Sequence, residues 1–269
     1  MQNTTNISIC SLSSGSSGNS ILIRTKNTAI LVDCGLTGKA VEQELEKAGQ
    51  NPSDISAIIV THEHIDHIKG VGIFSRRYKT PVYATLGTWG AMIDQIGKID
   101  PELIHYIASD IPFNIDDCRI YPFATSHDAA ESIGLIFSGG GKCGAVATDL
   151  GTVTKHIYSL LEPCDILFIE ANHDVEMLKR GPYPQALKLR ILSDCGHLSN
   201  TMCGALCAKL VRDGRLKQIT LGHLSTDNNT VQCAYQCVKQ SIELTGYKVN
   251  SDVTLCVANR SSISDMMVI

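Results

Sequence analysis

Positive charge is in short supply. Twenty-three Lys and Arg stand against 27 Asp and Glu over 269 residues, a net charge of −4, so no global basic field draws in nucleic acid or an acidic membrane surface. That excludes a non-specific, charge-driven DNA binder but leaves room for an enzyme that grips phosphate through metal ions. Long apolar runs are also absent: nothing approaches the ~20 residues needed to span a bilayer, which argues against a membrane phase. The opening Met1-Gln2-Asn3-Thr4-Thr5-Asn6 has neither the basic region nor the apolar stretch of a secretory signal. The 11 cysteines, an odd number, include no Cys-x-x-Cys pair. Cys203/Cys207 and Cys233/Cys237 stand four apart on helix-like stretches, as small buried hydrophobes often do. Reduced thiols in a cytoplasmic protein are therefore the expectation. No fixed-period repeat and no interdomain linker interrupt the chain. With 43% hydrophobic and 19% charged residues, a single domain over residues 1–269 with an ample core is expected.

What is present begins with strands. Ile7–Cys10, Ser20–Ile23 and Ala29–Val32 are short and β-branched. The segment Ser13-Ser14-Gly15-Ser16-Ser17-Gly18-Asn19 has the composition of a flexible linker. Its position between two close strands favours a tight, ordered connection with glycines at positive φ instead. A helix is expected at Lys39–Ala48 with Gly49 as its stop, then a strand at Ala57–Val60, a helix from Ile68 to Arg77, a strand at Pro81–Tyr83 and a helix near Leu86–Ile96. Strands at Arg119–Ala124, Ile133–Phe137 and Gly144–Thr148 follow, the last two as a hairpin about Ser138-Gly139-Gly140-Gly141-Lys142. That glycine run lacks Walker spacing and reads as a turn. A helix near Val153–Leu161 and a strand Ile166–Ile169 precede a looser stretch, Arg180–Leu192. Helix Asn200–Arg212, strand Gln218–Leu221, helix Asn229–Leu244 and strand Val253–Val257 close the pattern. The reading is α/β, two mixed sheets flanked by helices in one domain.

The densest chemistry is Thr61-His62-Glu63-His64-Ile65-Asp66-His67, three imidazoles and an aspartate directly after an apolar run. Histidine is the commonest metal ligand. A solvated His-rich loop without an ion is the competing reading, and the rest of the chain weakens it. His62, His127, Asp149, Glu170 and His223 each fall just past the last apolar residue of an expected strand, and strand ends at one sheet edge bring distant residues together. With His64, Asp66 and His67 the donors are too many for one tetrahedral zinc. They fit two divalent ions: His62, His64 and His127 on one, Asp66, His67 and His223 on the other, Asp149 between. Two ions roughly 3.5–4 Å apart activate a bridging water for phosphoryl or acyl hydrolysis. Imidazoles and carboxylates without thiolate suit Zn, Mn or Fe about equally. Asp33 reads as a residue that orients a ligating histidine. Arg76-Arg77-Tyr78-Lys79 is a basic run that reads as a solvated helix end, with tracking of a nucleic-acid backbone as the alternative. His105 and His156 have no motif around them and read as surface residues.

These residues resemble a family. Thr-His-Glu-His-Ile-Asp-His is similar to the His-x-His-x-Asp-His signature of the metallo-β-lactamase superfamily, with Asp33 of Val-Asp-Cys-Gly at its upstream aspartate and His127, Asp149 and His223 in the order of its later ligands. The resemblance covers Ile7 to His223 and implies a four-layer αβ/βα sandwich with a dinuclear hydrolase site. Within the superfamily, residues 11–20, Glu170-Ala171-Asn172-His173-Asp174, Gly196-His197-Leu198-Ser199-Asn200 and Gly222-His223-Leu224-Ser225 resemble the bacterial WalJ/YycJ-type proteins, relatives of the ribonuclease Z-like nucleases. That likeness implies phosphodiester hydrolysis through a metal-bridged hydroxide, exonucleolytic and on DNA more than RNA, with no obligate protein partner. It makes Asp66, His197 and Glu170 the catalytic candidates, His197 as proton donor to the leaving alkoxide and Glu170 as the group that orients it. His173 stays open between a second proton donor, a substrate contact and a surface histidine. The long insertion of the β-CASP nucleases and a ribonuclease Z exosite arm are both missing.

Three alternatives remain at this stage. Hydrolysis of a small ester, thioester or lactone would use the same ions. A flavodiiron-like redox protein would need a flavin domain for which no length remains, and a scaffold would hold no ions at all.

Overall fold

The computed structural model describes residues 7–15 and 17–269. The expectations for Met1–Asn6 and for Ser16 lie outside them. Two seven-stranded mixed sheets carry the chain, the first in the order β14-β1-β2-β3-β4-β5-β6 and the second running from β7 to β13 in sequence order. Two compact units emerge: residues 1–124, 129–142 and 259–269, and residues 125–128 and 143–258. No helix among the described residues is long and apolar enough to cross a membrane.

The first unit opens on β1 (Ser8–Ser13), β2 (Ser20–Arg24) and β3 (Ala29–Val32), an antiparallel meander with Ile9 opposite Ile23 and Leu22 opposite Leu31. Helix α1 (Gly38–Lys47) starts at Thr37, whose side chain accepts from the Ala40 N–H, a capping bond that satisfies an otherwise orphaned donor. Strands β4 (Ala57–Ile59), β5 (Val82–Thr85) and β6 (Ile104–Ile107) then add to β3 in parallel. β3 and β4 are buried at every position, as expected for parallel strands covered on both faces. The expected helix from Ile68 to Arg77 is instead two, α2 (Ile65–Ile68) and α3 (Val71–Tyr78). The break falls at Gly70, where a Cβ would come within 2.5 Å of the Leu36 carbonyl oxygen, so the chain turns there to let two loops touch. Helix α4 (Leu86–Ile96) matches its expectation. Leu31, Val41, Leu45, Ile58, Phe74, Trp89 and Met92 fill the core between sheet and helices.

Strands β7 (Phe113–Ile115), β8 (Cys118–Ala124) and β9 (Ile133–Gly139) form a second antiparallel set. After Gly140 and Gly141, both at positive φ as a two-residue hairpin turn requires, comes β10 (Lys142–Ala147). The last strand, β14 (Met267–Val268), pairs antiparallel with β1. β6, β7 and β14 were not legible in the sequence: they are two to four residues long and, unlike the equally short β3 and β4, are not fully buried apolar runs.

The second unit is a parallel ladder, β10, β11 (Ile166–Glu170), β12 (Gln218–Gly222) and β13 (Thr254–Val257). It is joined through α5 (Lys155–Leu161), α8 (Asn200–Asp213) and α9 (Val231–Glu243). Its core includes Leu167, Ile169, Leu206, Leu210 and Val238. The stretch Arg180–Leu192, expected to be loose, holds a short helix, α7 (Gln185–Ile191), and another short helix, α6 (Val175–Arg180), leads into it. Gly181, Pro182 and Pro184 separate them and hide the pattern from a window of helical length. All eleven cysteines are free thiols; Cys203 and Cys207 are buried as expected, whereas Cys233 and Cys237 are only half-buried.

Candidate metal centre

In the first unit the histidine cluster is built by three loops that hold one another. Asn19 N–H donates to the Asp66 carbonyl (2.7 Å), Gly35 N–H to the Asn19 carbonyl (2.8 Å) and Cys34 N–H to the His67 carbonyl (2.9 Å). Gly35 is required at this crossing, because a Cβ there would lie 1.7 Å from the Asp66 carbonyl oxygen. Within the serine- and glycine-rich segment, Gly18 takes φ 152°, a positive φ as expected of its glycines. Asp33 leaves β3 in the left-handed region, φ 60°, a conformation that non-glycine residues adopt mainly where the surroundings enforce it.

That turn makes Asp33 the anchor. Its carboxylate accepts from the Thr61 N–H (2.8 Å), the Thr61 hydroxyl (2.8 Å) and His67 Nδ1 (2.7 Å). Since Nδ1 of His67 carries the proton, its Nε2 is the lone-pair atom, and it lies 3.1 Å from the Asn19 amide nitrogen, which also donates to Asp66 Oδ2 at 3.1 Å. His62 Nδ1 rests 3.0 Å from the Thr61 hydroxyl, and its Nε2 lies 3.1 Å from His64 Nδ1. Two nitrogen ligands on one tetrahedral zinc, each at about 2.0–2.1 Å, lie about 3.3 Å apart. The His62–His64 pair therefore fits two ligands of one divalent ion in both type and spacing. Glu63 points elsewhere and accepts from the Ala130 N–H (2.8 Å).

In the second unit the candidates come from four loops and the end of β11. Asp149 follows β10 and His223 follows β12, both in the left-handed region at φ 53° and 54°. One donor atom each from Asp149, Glu170, His197 and His223 falls within 4.8 Å of all the others. Glu170, fully buried at the end of β11, is the hub. Its Oε2 accepts from His223 Nδ1 (2.6 Å), His197 Nδ1 (2.9 Å) and the Asp149 N–H (3.2 Å), and its Oε1 from the Leu198 N–H (2.7 Å). His127 Nδ1 donates to the Gly196 carbonyl (3.2 Å), and its Nε2 lies 3.6 Å from Asp149 Oδ1. One ring nitrogen of each imidazole is held by the protein, which presents the other, as metal-ligating histidines are commonly arranged.

Electrostatics divides these histidines by role. Burial lowers the His127 pKa, which keeps it a neutral lone-pair donor. Burial also works against charge on His197, but the Glu170 carboxylate, through its charge and its hydrogen bond, and then Asp149 carry its pKa above the ordinary value. Burial likewise opposes the charge on Glu170, yet the His197 and His223 imidazoles hold it well below the usual carboxylate range. At 19% side-chain exposure His197 is the open member of the group, whereas Asp149 and Glu170 are almost sealed. Nδ1 of His197 faces Glu170, so Nε2 is the atom that can give a proton outward.

His173 is not a surface residue. It is 1% exposed and burial lowers its pKa to about 4, which leaves it neutral at pH 7 and a poor proton donor. His105 is half-buried on β6 and stacks on Tyr83 at 4.5 Å, while His156 is exposed as expected. Sequence reasoning missed Asn19 and Thr61. The sole signal for Thr61 is its place as the first residue of the histidine motif, and for Asn19 its place at the end of a short inter-strand loop. It also missed the amide network in which Asn229 Nδ2 donates to the Ala171 carbonyl (2.9 Å) and Asn172 Nδ2 to the His223 carbonyl (3.0 Å), tying these loops together.

Comparison with known proteins gives the family and the fold. The β-lactamase superfamily domain profile matches residues 28–223. The chain is 41% identical over 240 residues to exodeoxyribonuclease YycJ of Bacillus anthracis, covering 88% of this chain and 90% of that protein. It is 42% identical over 226 residues to exodeoxyribonuclease WalJ of Streptococcus pneumoniae, covering 83% of this chain and 84% of that protein. Among solved structures, the metallo-β-lactamase fold protein YhfI of Bacillus subtilis superposes with a TM-score of 0.69 at 15% identity, over 96% of this chain and 99% of that one. Two mixed sheets with flanking helices are the fold it shares with that protein, and by profile and identity the chain belongs to the metallo-β-lactamase superfamily.

Proposed function

We propose that residues 1–269 act as one hydrolase domain that cleaves phosphodiester bonds of DNA from a chain end with two divalent ions. His62, His64, Asp66 and His67 from the first unit and His127, Asp149 and His223 from the second would hold those ions, Zn, Mn or Fe by donor chemistry. Ions so held lower the pKa of coordinated water and neutralise charge developing on a phosphate. The residues supply the rest. Asp33 fixes the tautomer of His67 and Thr61 fixes the ring of His62. Glu170 sets His197 with Nδ1 inward, so that Nε2 protonates the departing sugar oxygen.

The observation that carries this reading is the Glu170–His197 pair, an imidazole with 19% of its side chain exposed, made more basic by a sealed carboxylate. An alkoxide leaving group needs a proton, whereas a thiolate leaves without one, so the pair favours a phosphodiester over a thioester. The names of the YycJ and WalJ relatives, both exodeoxyribonucleases, point to DNA as the polymer. The test is metal analysis of untagged protein followed by digestion of single- and double-stranded DNA and RNA labelled at either terminus. Mononucleotide release from one end of DNA is expected. Turnover of a chromogenic thioester or lactone by metal-loaded protein that leaves every oligonucleotide intact would overturn it.

A further inference from the structure

We propose that the helix pair α6–α7 is the surface that receives the phosphodiester backbone and leads it to the Glu170–His197 part of the site; this rests on the reading of the chain as a DNA phosphodiesterase. Residues 175–192 hold Lys179, Arg180, Lys188 and Arg190 against a single acidic residue, Glu176, in a chain whose net charge is −4. A local excess of this sign is what tracks a polyanion. The cations stand in solvent: the side chains of Arg180, Lys179 and Arg190 are 83%, 58% and 53% exposed. α7 buries none of its residues. Glu176 is shared by Lys179 at 3.2 Å and Arg180 at 3.6 Å. One carboxylate between two exposed cations is a weak, screened interaction that a phosphate readily replaces.

Position connects this surface to the chemistry. The His197 N–H donates to the Ile191 carbonyl at 3.1 Å. A Cβ on Gly196 would lie 2.2 Å from that same oxygen and 2.4 Å from the Arg190 carbonyl oxygen, so the end of α7 rests directly on the His197 loop. The Arg190 guanidinium pairs with Asp128, the neighbour of His127. At the other end, Asp174 caps α6 through the Glu176 and Met177 N–H groups, four residues after Glu170. Lys188 ties the two helices by donating to the Lys179 carbonyl (2.7 Å). Leu189 and Leu192 are 60% and 42% exposed beside these cations. Apolar methyls next to guanidinium and ammonium groups suit sugars and bases strung on phosphate. Helices of six and seven residues offer too little apolar face to hold a bilayer surface.

The test uses the metal-loaded full chain and the variant Lys179→Glu/Arg180→Glu/Lys188→Glu, with binding of a fluorescein-labelled phosphorothioate oligothymidylate followed by anisotropy from low to moderate salt. Affinity is expected to fall at least ~10-fold, and the slope of log K against log salt to become shallower by ~2, near 0.7 for each lost phosphate contact. Lys179→Gln/Arg180→Gln, a milder change, should shift both quantities in the same direction and guards against misfolding of the triple variant. Unchanged affinity and slope while the wild type cleaves DNA would overturn the surface alone. Capture by phosphatidylserine vesicles in place of the oligonucleotide would overturn it in favour of a lipid. A wild type that neither binds nor cleaves oligonucleotides would remove the phosphodiesterase reading and this surface with it.

Discussion

In the first unit the candidate ligands His62, His64, Asp66 and His67 sit within six consecutive residues, whereas in the second His127, Asp149, Glu170, His197 and His223 come from four loops and a strand end spread between positions 127 and 223. The two sets also differ in what anchors them. Asp33 accepts from a backbone amide, a hydroxyl and one imidazole, and so fixes ring orientation. Glu170 takes two imidazoles on a single oxygen, which fixes orientation and also raises the basicity of His197. Under the proposed function, the first region would hold cations, and the second would hold cations and handle a proton. A buried carboxylate can serve either end, and the number of imidazoles it faces decides which.

The contrast breaks most sharply at the ligands themselves. His64→Ala and Asp66→Ala are each expected to abolish hydrolysis together with metal loss, read by turnover and by elemental analysis of the purified variants. Full activity in either would remove the first unit's donors from the site. His197→Ala should keep its metal and slow turnover by ~10²–10⁴, the range for loss of a general acid; a metal-depleted variant would make His197 a ligand instead. Asp33→Asn should lie between holding and handling. Asn tolerates the left-handed φ of that position, so the fold stands, while the loss of its charge on His67 should weaken metal affinity ~10–100-fold in a chelator competition.

Glu170→Gln sharpens the other side by a smaller amount. With His197 protonated as the acid, activity is complete below its pKa and lost as pH rises through it. The Glu170 charge raises that pKa, so the amide should move the alkaline limb of the kcat/KM profile to lower pH. A limb that stays in place would detach His197 from the proton transfer.

The same contrast explains what could be read without a structure. The first unit's donors are local in sequence and directly follow a legible apolar strand, so His62 to His67 are visible in one short window, although the helix that carries Asp66 and His67 starts at Ile65 and not at the expected Ile68. Asp149 and His223 were legible through strand ends, since β10 and β12 are clear apolar runs. Glu170 was legible in the same way, as a strand end, but its catalytic role and the candidacy of His197 came only through family resemblance, because nothing in the spacing of Glu170 and Gly196-His197 shows that the two will meet. Asn19 was hidden because amides in a serine–glycine loop look alike whether they turn a chain or hold an aspartate. α6 and α7 went unread for a simpler reason: each is shorter than two turns, and a proline and glycine cluster lies between them.

Elemental analysis of the untagged protein after dialysis against buffered Zn or Mn, paired with digestion of end-labelled DNA, addresses the whole account most directly. Two divalent ions per chain, and cleavage that stops when they are chelated and returns when they are restored, is the expected result. Protein that emerges from a metal-replete buffer with none bound, or that cleaves equally well with its metal stripped, would contradict it.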